Sequence, residues 1–286
     1  MNCTVAVAQI DAAVGNLKAN AARHADAVRK AIAARADIVV FPELSLTGYT
    51  VRDLNWDVAL RAQKQELFDE LINLSSQITI VFGAVEEAPN FGIYNSAFVI
   101  EEGIIASAHR KVYPPTYGMF EEMRYFSRGS DVRCFESRHG RLGILICEDL
   151  WHMSLPYVLA QDGAEVIIGI AASPTRLSGQ SAMLPGLALN YEHHKTYARL
   201  LSSYIVYCNR VGMEDGVSFW GGSHVVGPAG DILAQAQLFE EDLITARIEA
   251  NEVRRARRLS RHFIDDDMHL TVQQLERIQR ERDAQR

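Results

Sequence analysis

Three reactive side chains stand directly after apolar, strand-like runs. Glu43 follows Ile38-Val39-Val40-Phe41-Pro42, Lys111 follows a segment ending in His109-Arg110, and Cys147 follows Leu142-Gly143-Ile144-Leu145-Ile146. In open α/β sheets ligands gather beyond the carboxyl ends of strands, so this placement offers a carboxylate, an amine and a thiol for chemistry. A carboxylate at the rim of an apolar strand is desolvated, which lifts its pKa toward the range of a general base. It equally serves as a turn or N-cap residue. A lysine aimed into a pocket stabilises a developing oxyanion, and the same residue type is common on solvated surfaces. A thiol at a strand-to-loop turn is a nucleophile when a base or cation lies beside it, and ordinary core otherwise.

The elements that must carry these residues follow from hydropathy. Residues 3–9 read as a buried strand, 16–35 as a helix with Leu17, Ala21, Ala25, Val28 and Ile32 on one face, and 38–41 as a second strand. Strand, helix and strand make a βαβ unit, which favours a parallel pair. Residues 57–75 are expected to be helical and 78–83 a strand. A hairpin is expected from 94–100 and 103–109 around Glu101-Glu102-Gly103. Further strands are expected at 131–136, 141–147, 165–171 and 204–209, with a helix at 186–202. Residues 222–228 and 231–248 read as antiparallel strands around Pro228-Ala229-Gly230-Asp231. No Gly/Ser linker interrupts the chain, so residues 1–250 are expected to form one α/β domain of mixed sheets. Residues 251–286, with Arg254, Arg255, Arg257, Arg258 and Arg261, read as a C-terminal helical arm, either solvated or partner-binding.

Composition excludes other classes. The 286 residues are 48% hydrophobic and 23% charged, which is globular rather than disordered or fibrous. A net charge of −7 argues against nucleic acid as a partner. No apolar run reaches the roughly 18 residues of a membrane span. Cys3, Cys134, Cys147 and Cys208 lie far apart, in no CxxC pair, so neither a disulfide framework nor a cysteine metal site is expected. His193-His194 point about 100° apart on a helix, which disfavours a shared metal ion. A cytoplasmic location with no cofactor and no metal is the expectation, and no signal peptide is read at Met1.

Jointly the three residues are far more specific than singly. Phe41-Pro42-Glu43-Leu44 with Ser45-Leu46-Thr47-Gly48-Tyr49, His109-Arg110-Lys111-Val112-Tyr113-Pro114-Pro115, and Gly143-Ile144-Leu145-Ile146-Cys147-Glu148-Asp149-Leu150-Trp151 together resemble the motifs of the nitrilase superfamily of carbon–nitrogen hydrolases. The likeness extends over most of residues 4–249, including Asn209-Arg210-Val211-Gly212 and Ser218-Phe219-Trp220-Gly221-Gly222-Ser223. It implies a four-layer αββα sandwich. It also implies Glu43 as general base, Lys111 as oxyanion stabiliser and Cys147 as nucleophile. A second glutamate in the loop after the lysine matches Glu122, with Glu121 as the alternative. The implied reaction is hydrolysis of a non-peptide carbon–nitrogen bond, amide or carbamoyl, through a Cys147 thioester.

Tyr117-Gly118-Met119-Phe120-Glu121-Glu122-Met123-Arg124-Tyr125-Phe126 and Ile146-Cys147-Glu148-Asp149-Leu150-Trp151 are most similar to the glutamine-amide-hydrolysing domain of glutamine-dependent NAD synthetases. That resemblance implies substrate contacts from Tyr49, Tyr117, Glu148 and Ser173. Arg176, where the sequence departs from the glutaminase pattern, is a further candidate for binding a substrate carboxylate. No synthetase segment with an SGGxDS phosphate loop is read in the chain. The expectation is therefore a stand-alone amidase, ahead of a glutaminase subunit supplying ammonia to a separate NAD synthetase, a nitrile hydrolyser, or an inactive binding protein on the same fold. The resemblance also implies a homodimer or larger homo-oligomer, with the C-terminal arm reaching across a neighbouring subunit.

Overall fold

The structure is a computed structural model that describes residues 1–61, 68–175 and 185–285. In chain order the first half runs β1 (Asn2–Gln9), α1 (Leu17–Ala33), β2 (Ile38–Val40), α2 (Asn55–Val58), α3 (Asp69–Leu74), β3 (Thr79–Glu87), β4 (Ile93–Glu101), β5 (Ile104–Arg110) and α4 (Glu122–Tyr125). The middle comprises β6 (Phe135–Ser137), β7 (Gly140–Ile146), α5 (Ser154–Gln161), β8 (Val166–Ala171), β9 (Pro174–Thr175), α6 (Pro185–Leu201) and β10 (Tyr204–Asn209). The chain closes with β11 (Val211–Glu214), β12 (Val217–Trp220), β13 (His224–Val226), β14 (Ile232–Gln235), β15 (Asp242–Glu249), α7 (Ala250–Leu259) and α8 (Met268–Asp283).

Two six-stranded sheets form, ordered β15-β1-β2-β3-β4-β5 and β14-β13-β10-β8-β7-β6, with a small third sheet β11-β12-β9. Both large sheets are mixed: β1, β2 and β3 are parallel neighbours in one, and β7, β8 and β10 in the other. Their inner faces meet through Val5, Val7, Ile38, Val40, Val81 and Val99 on one side and Leu142, Ile144, Ile168, Ile170 and Val206 on the other. Burying each such aliphatic side chain contributes about 1.5–3 kcal/mol, so this dry interior is the main source of cohesion.

The outer faces are covered by helices. α1 lays Ala25, Val28 and Ala31 on the first sheet beside Val39, Ile80 and Phe82; its start is capped by Asn16 Oδ1, which accepts the Ala19 N–H at 3.1 Å. α5 and α6 cover the second sheet, with Leu155, Leu159, Ala198 and Leu201 against Leu145, Ile167 and Ile205. The result is the four-layer αββα sandwich with mixed sheets. β2, β7, β8 and β10 carry apolar residues on both faces because each lies inside a sheet covered on both sides.

Several local expectations change. Strand structure at 131–136 is confined to β6, a three-residue edge strand. The helix expected at 57–75 is seen as α2 and α3, with residues 62–67 outside the described region. The strand expected over 231–248 is two strands in different sheets: β14 pairs with β13, while β15 pairs antiparallel along all of β1. Polar Gln237, Glu240 and Glu241 form the crossing between them; Gln9 Nε2 donates to the carbonyls of Gln237 and Glu240 at 2.7 Å each. α5, which no earlier pattern marked, is only eight residues long. No helix among the described residues is long and apolar enough to cross a membrane.

Candidate active site

Glu43, Lys111 and Cys147 each sit just past the carboxyl end of a strand: β2, β5 and β7 respectively. Their strands belong to two different sheets, and the sandwich brings these ends to one side. Cys147 adopts φ +46°, a left-handed conformation that costs a non-glycine residue energy and needs firm surroundings. Leu44, next to Glu43, is also left-handed at φ +49°. Gly83 on β3 lets that turn approach: a Cβ there would lie 2.2 Å from the Leu44 nitrogen.

Lys111 is 1% exposed and bridges two carboxylates, donating to Glu43 Oε1 at 2.7 Å and to Glu122 Oε1 at 2.8 Å. Glu43 is completely buried and has donors on both oxygens. Asn95 Nδ2 reaches Oε1 at 2.7 Å, and the Ala172 N–H reaches Oε2 at 2.8 Å. Glu122, at the start of α4, accepts the Tyr49 hydroxyl on Oε1 at 2.6 Å, while its Oε2 has no partner among the described residues. Glu121 is exposed and outside this cluster, so the loop glutamate that meets Lys111 is Glu122.

The electrostatics follow from burial and from the sharing of one ammonium. Burial pulls Lys111 down, but the Glu122 and Glu43 carboxylates outweigh it and hold the amine well above its usual value, so it stays charged. Burial raises Glu122 to about 7, against the opposing pull of Lys111 and with the added push of Glu43. The Cys147 thiol is pushed up by burial and by Glu43, with Lys111 opposing, so at neutral pH it rests protonated.

The residues expected at the substrate have definite places. Ser173 Oγ lies 3.9 Å from Cys147 Sγ and 2.8 Å from the Tyr207 hydroxyl, and its N–H is held by Asn209 Oδ1 at 2.8 Å. Glu148 is half-buried beside Cys147; it accepts the hydroxyl of exposed Tyr117 at 2.7 Å and faces His152 at 3.7 Å. Burial and Glu148 together push Tyr117 up to about 12. Tyr49 turns its hydroxyl to Glu122, so its polar end is already engaged. Arg176 lies outside the described residues. His194 pairs with His224, Nδ1 to Nε2 at 2.8 Å, while His193 packs edge-on against Trp151.

Asn95 and the Ala172 N–H were not foreseen. Asn95 had a signal: an amide inside the strand run Ile93-Tyr94-Asn95-Ser96-Ala97-Phe98 must find a partner if buried. The Ala172 N–H had none, because every residue offers one.

The carbon–nitrogen hydrolase family model matches residues 4–258. The glutamine-dependent NAD(+) synthetase of Acinetobacter baylyi is 31% identical over 250 residues, covering 87% of this chain and 45% of that protein. The structure of the glutamine-dependent NAD+ synthetase of Acinetobacter baumannii, bound to ADP, superposes with a TM-score of 0.80 at 31% identity, over 88% of this chain and 47% of that one. This chain thus spans under half the length of those synthetases. The carbon–nitrogen hydrolase of Helicobacter pylori G27 shares the fold along nearly its whole length, with a TM-score of 0.85 at 24% identity, over 96% of this chain and 99% of that one. On the match across residues 4–258, the chain belongs to the carbon–nitrogen hydrolase family.

Proposed function

We propose that this chain hydrolyses the amide of a small, amine-bearing molecule through a thioester on Cys147. The observation that carries this is the buried Lys111 ammonium, shared at 2.7 and 2.8 Å by Glu43, just past β2, and Glu122, at the start of α4. Because the thiol rests protonated, Glu43 takes its proton as Sγ attacks the amide carbon. The C=O bond opens to an oxyanion held by Lys111 and the Glu148 N–H. On collapse the C–N bond breaks, and the nitrogen leaves with the proton that Glu43 returns. Water then gives a proton to Glu43 or Glu122 and attacks the thioester, and the carboxylic acid departs as Sγ regains its proton. Glu148, anchored by Tyr117, supplies a negative charge suited to a substrate ammonium.

The test is ammonia release from glutamine, small aliphatic amides, N-carbamoyl compounds and a small nitrile. Turnover of a small amide supports the reading; no turnover on any panel member overturns it. A glutaminase supplying ammonia to a synthetase partner is the second reading, favoured by the likeness to the NAD synthetases. Glutamine as the sole productive substrate decides for it. An inactive binding protein would leave Cys147 unreactive. All four cysteines are unpaired, which supports a reducing, cytoplasmic setting.

The reading includes a homodimer or larger homo-oligomer. α7 buries Val253 in the inter-sheet core, but α8 buries nothing and leaves Met268, Val272 and Leu275 exposed. A lone 16-residue helix is marginal in water, so a covered apolar stripe on a second copy fits α8 better than solvent does. Light scattering on the full chain and on one lacking residues 260–286 tests this. A monomer in both cases refutes it.

A further inference from the structure

Asp149 lies two residues past the nucleophile and is completely buried, yet it has no place in the reacting cluster. Its Oδ1 accepts the N–H groups of Val112 and Tyr113, both at 3.0 Å. Its Oδ2 accepts the N–H of Ile146 at 3.1 Å and faces His109 Nε2 at 3.2 Å. Four donors thus converge on one carboxylate. Two of them belong to the residues that immediately follow Lys111. One is the residue immediately before Cys147. The fourth, His109, is on β5 two residues before Lys111.

These donors come from both halves of the sandwich. β5 ends the first sheet and β7 lies in the second, and no strand pairing among the described residues joins the two large sheets. Besides the bond from the Ala172 N–H to Glu43, what sets Lys111 against Cys147 is side-chain packing, which is strong but not directional. Hydrogen bonds are directional, and a buried acceptor fixes the angle of each donor. The left-handed φ of Cys147 adds a reason for such a brace, because a strained residue holds its shape only where its neighbours are fixed. We propose that Asp149, seconded by His109, is a positioning residue that sets the Cys147 elbow in register with Lys111, so that the sulfur and the oxyanion-stabilising ammonium address one carbonyl. This deepens the amidase reading and rests on it.

The chemistry requires a carboxylate. Both oxygens must accept, so an asparagine would turn its NH2 toward at least one N–H and leave that donor without an acceptor. Because the carboxylate accepts, His109 carries its proton on Nε2.

The test separates register from reactivity and needs no physiological substrate. Acetaldehyde adds Cys147 Sγ to its carbonyl carbon, giving a hemithioacetal whose oxygen occupies the oxyanion position. Its affinity is read as protection of Cys147 against methylation by iodomethane. Methylation forms a C–S bond and expels iodide, and it builds no oxyanion. Asp149→Asn is expected to weaken acetaldehyde protection by roughly 30-fold or more while the methylation rate without aldehyde changes less than about 3-fold. His109→Ala, which removes one of the four donors, is expected to weaken protection by about 3- to 10-fold and keeps the question answerable should Asp149→Asn fail to fold. Wild-type protection in a folded Asp149→Asn protein overturns the proposal, as does wild-type protection in His109→Ala when Asp149→Asn does not fold. Equal losses of protection and of methylation also overturn it, since they show general damage. A wild-type protein that acetaldehyde does not protect refutes the amidase reading itself, a separate outcome.

Discussion

Asn95 is bonded to Glu43 and Lys111 at once: its Nδ2 donates to Glu43 Oε1 at 2.7 Å, and its main-chain carbonyl accepts the Lys111 N–H at 2.9 Å. One residue of β4 thereby sets the distance between the carboxylate and the ammonium. Asn95 Oδ1 has no partner among the described residues, so the side chain serves here through its donor. Asn95→Ala is expected to lower kcat/KM on a turned-over amide by about 10- to 100-fold, with a smaller change in KM, because the base loses a bond that orients it. Steady-state kinetics check this; an unchanged kcat/KM contradicts it.

Cys147→Ala is expected to abolish turnover, since no other group can form the thioester. The remaining thiols differ by position. Cys3 and Cys208 are completely buried between the sheets, and Cys134 donates to the Leu159 carbonyl at 3.3 Å and is pushed up to about 12 by burial and Asp162. Cys147 also rests protonated, but Lys111 opposes its rise and Glu43 beside it takes the proton as sulfur attacks, so iodoacetamide followed by peptide mass mapping should mark Cys147 first. Cys134→Ala keeps full activity, and Cys208→Ala loses about 1–2 kcal/mol of stability without losing turnover. Preferential labelling of Cys134 contradicts this ordering.

Glu122 gives a pH signature of definite sign. Burial lifts it from 4.5 to about 7 in the folded protein, so between those values the folded chain holds a proton that the unfolded chain has released. Its contribution to stability is full below 4.5 and is lost as pH rises through about 7. Glu122→Gln stays neutral and lacks this loss. The melting temperature of the wild type, relative to that of Glu122→Gln, should fall by roughly 5 °C between acid and mildly alkaline pH. If Glu122 activates water, kcat/KM of the wild type rises through pH 7 as the carboxyl ionises, and the residual activity of Glu122→Gln lacks that limb. A parallel pair of melting curves across the range contradicts the assignment.

Arg210 supports the site from a distance. It is 1% exposed, pairs with Glu214, donates to Asp11 Oδ1 at 3.0 Å and lies 4.4 Å from the Phe219 ring centre. Glu214 in turn accepts the Thr50 hydroxyl at 2.7 Å, next to the Tyr49 that bonds Glu122. Arg210→Met leaves Glu214 buried without its cation, which costs about 3–5 kcal/mol. Thermal melting should show a drop of roughly 10 °C, and kcat should fall as the Tyr49 loop loosens. A melting temperature within about 2 °C of the wild type sinks this account.

The amino-acid sequence by itself determined which residues end strands and which chemistry they bring. The runs before Glu43 and Cys147 are continuous and apolar because covered strands are wet on neither face, and such runs are visible without coordinates. The motif around Lys111 marked the third member, although alone it read as well for a surface lysine. The tertiary structure alone decided the partnerships. That Glu43 has donors on both oxygens depends on Asn95 of β4 and on the Ala172 N–H just past β8, residues 52 and 129 positions from Glu43. That residues 231–248 split between the two sheets was likewise hidden, because a polar crossing and a bulged strand give similar local patterns. The physical reason is common to both: periodicity encodes faces and ends within an element. Which distant donor meets which acceptor is set by strand order and register, where a one-residue slip turns every side chain to the opposite face.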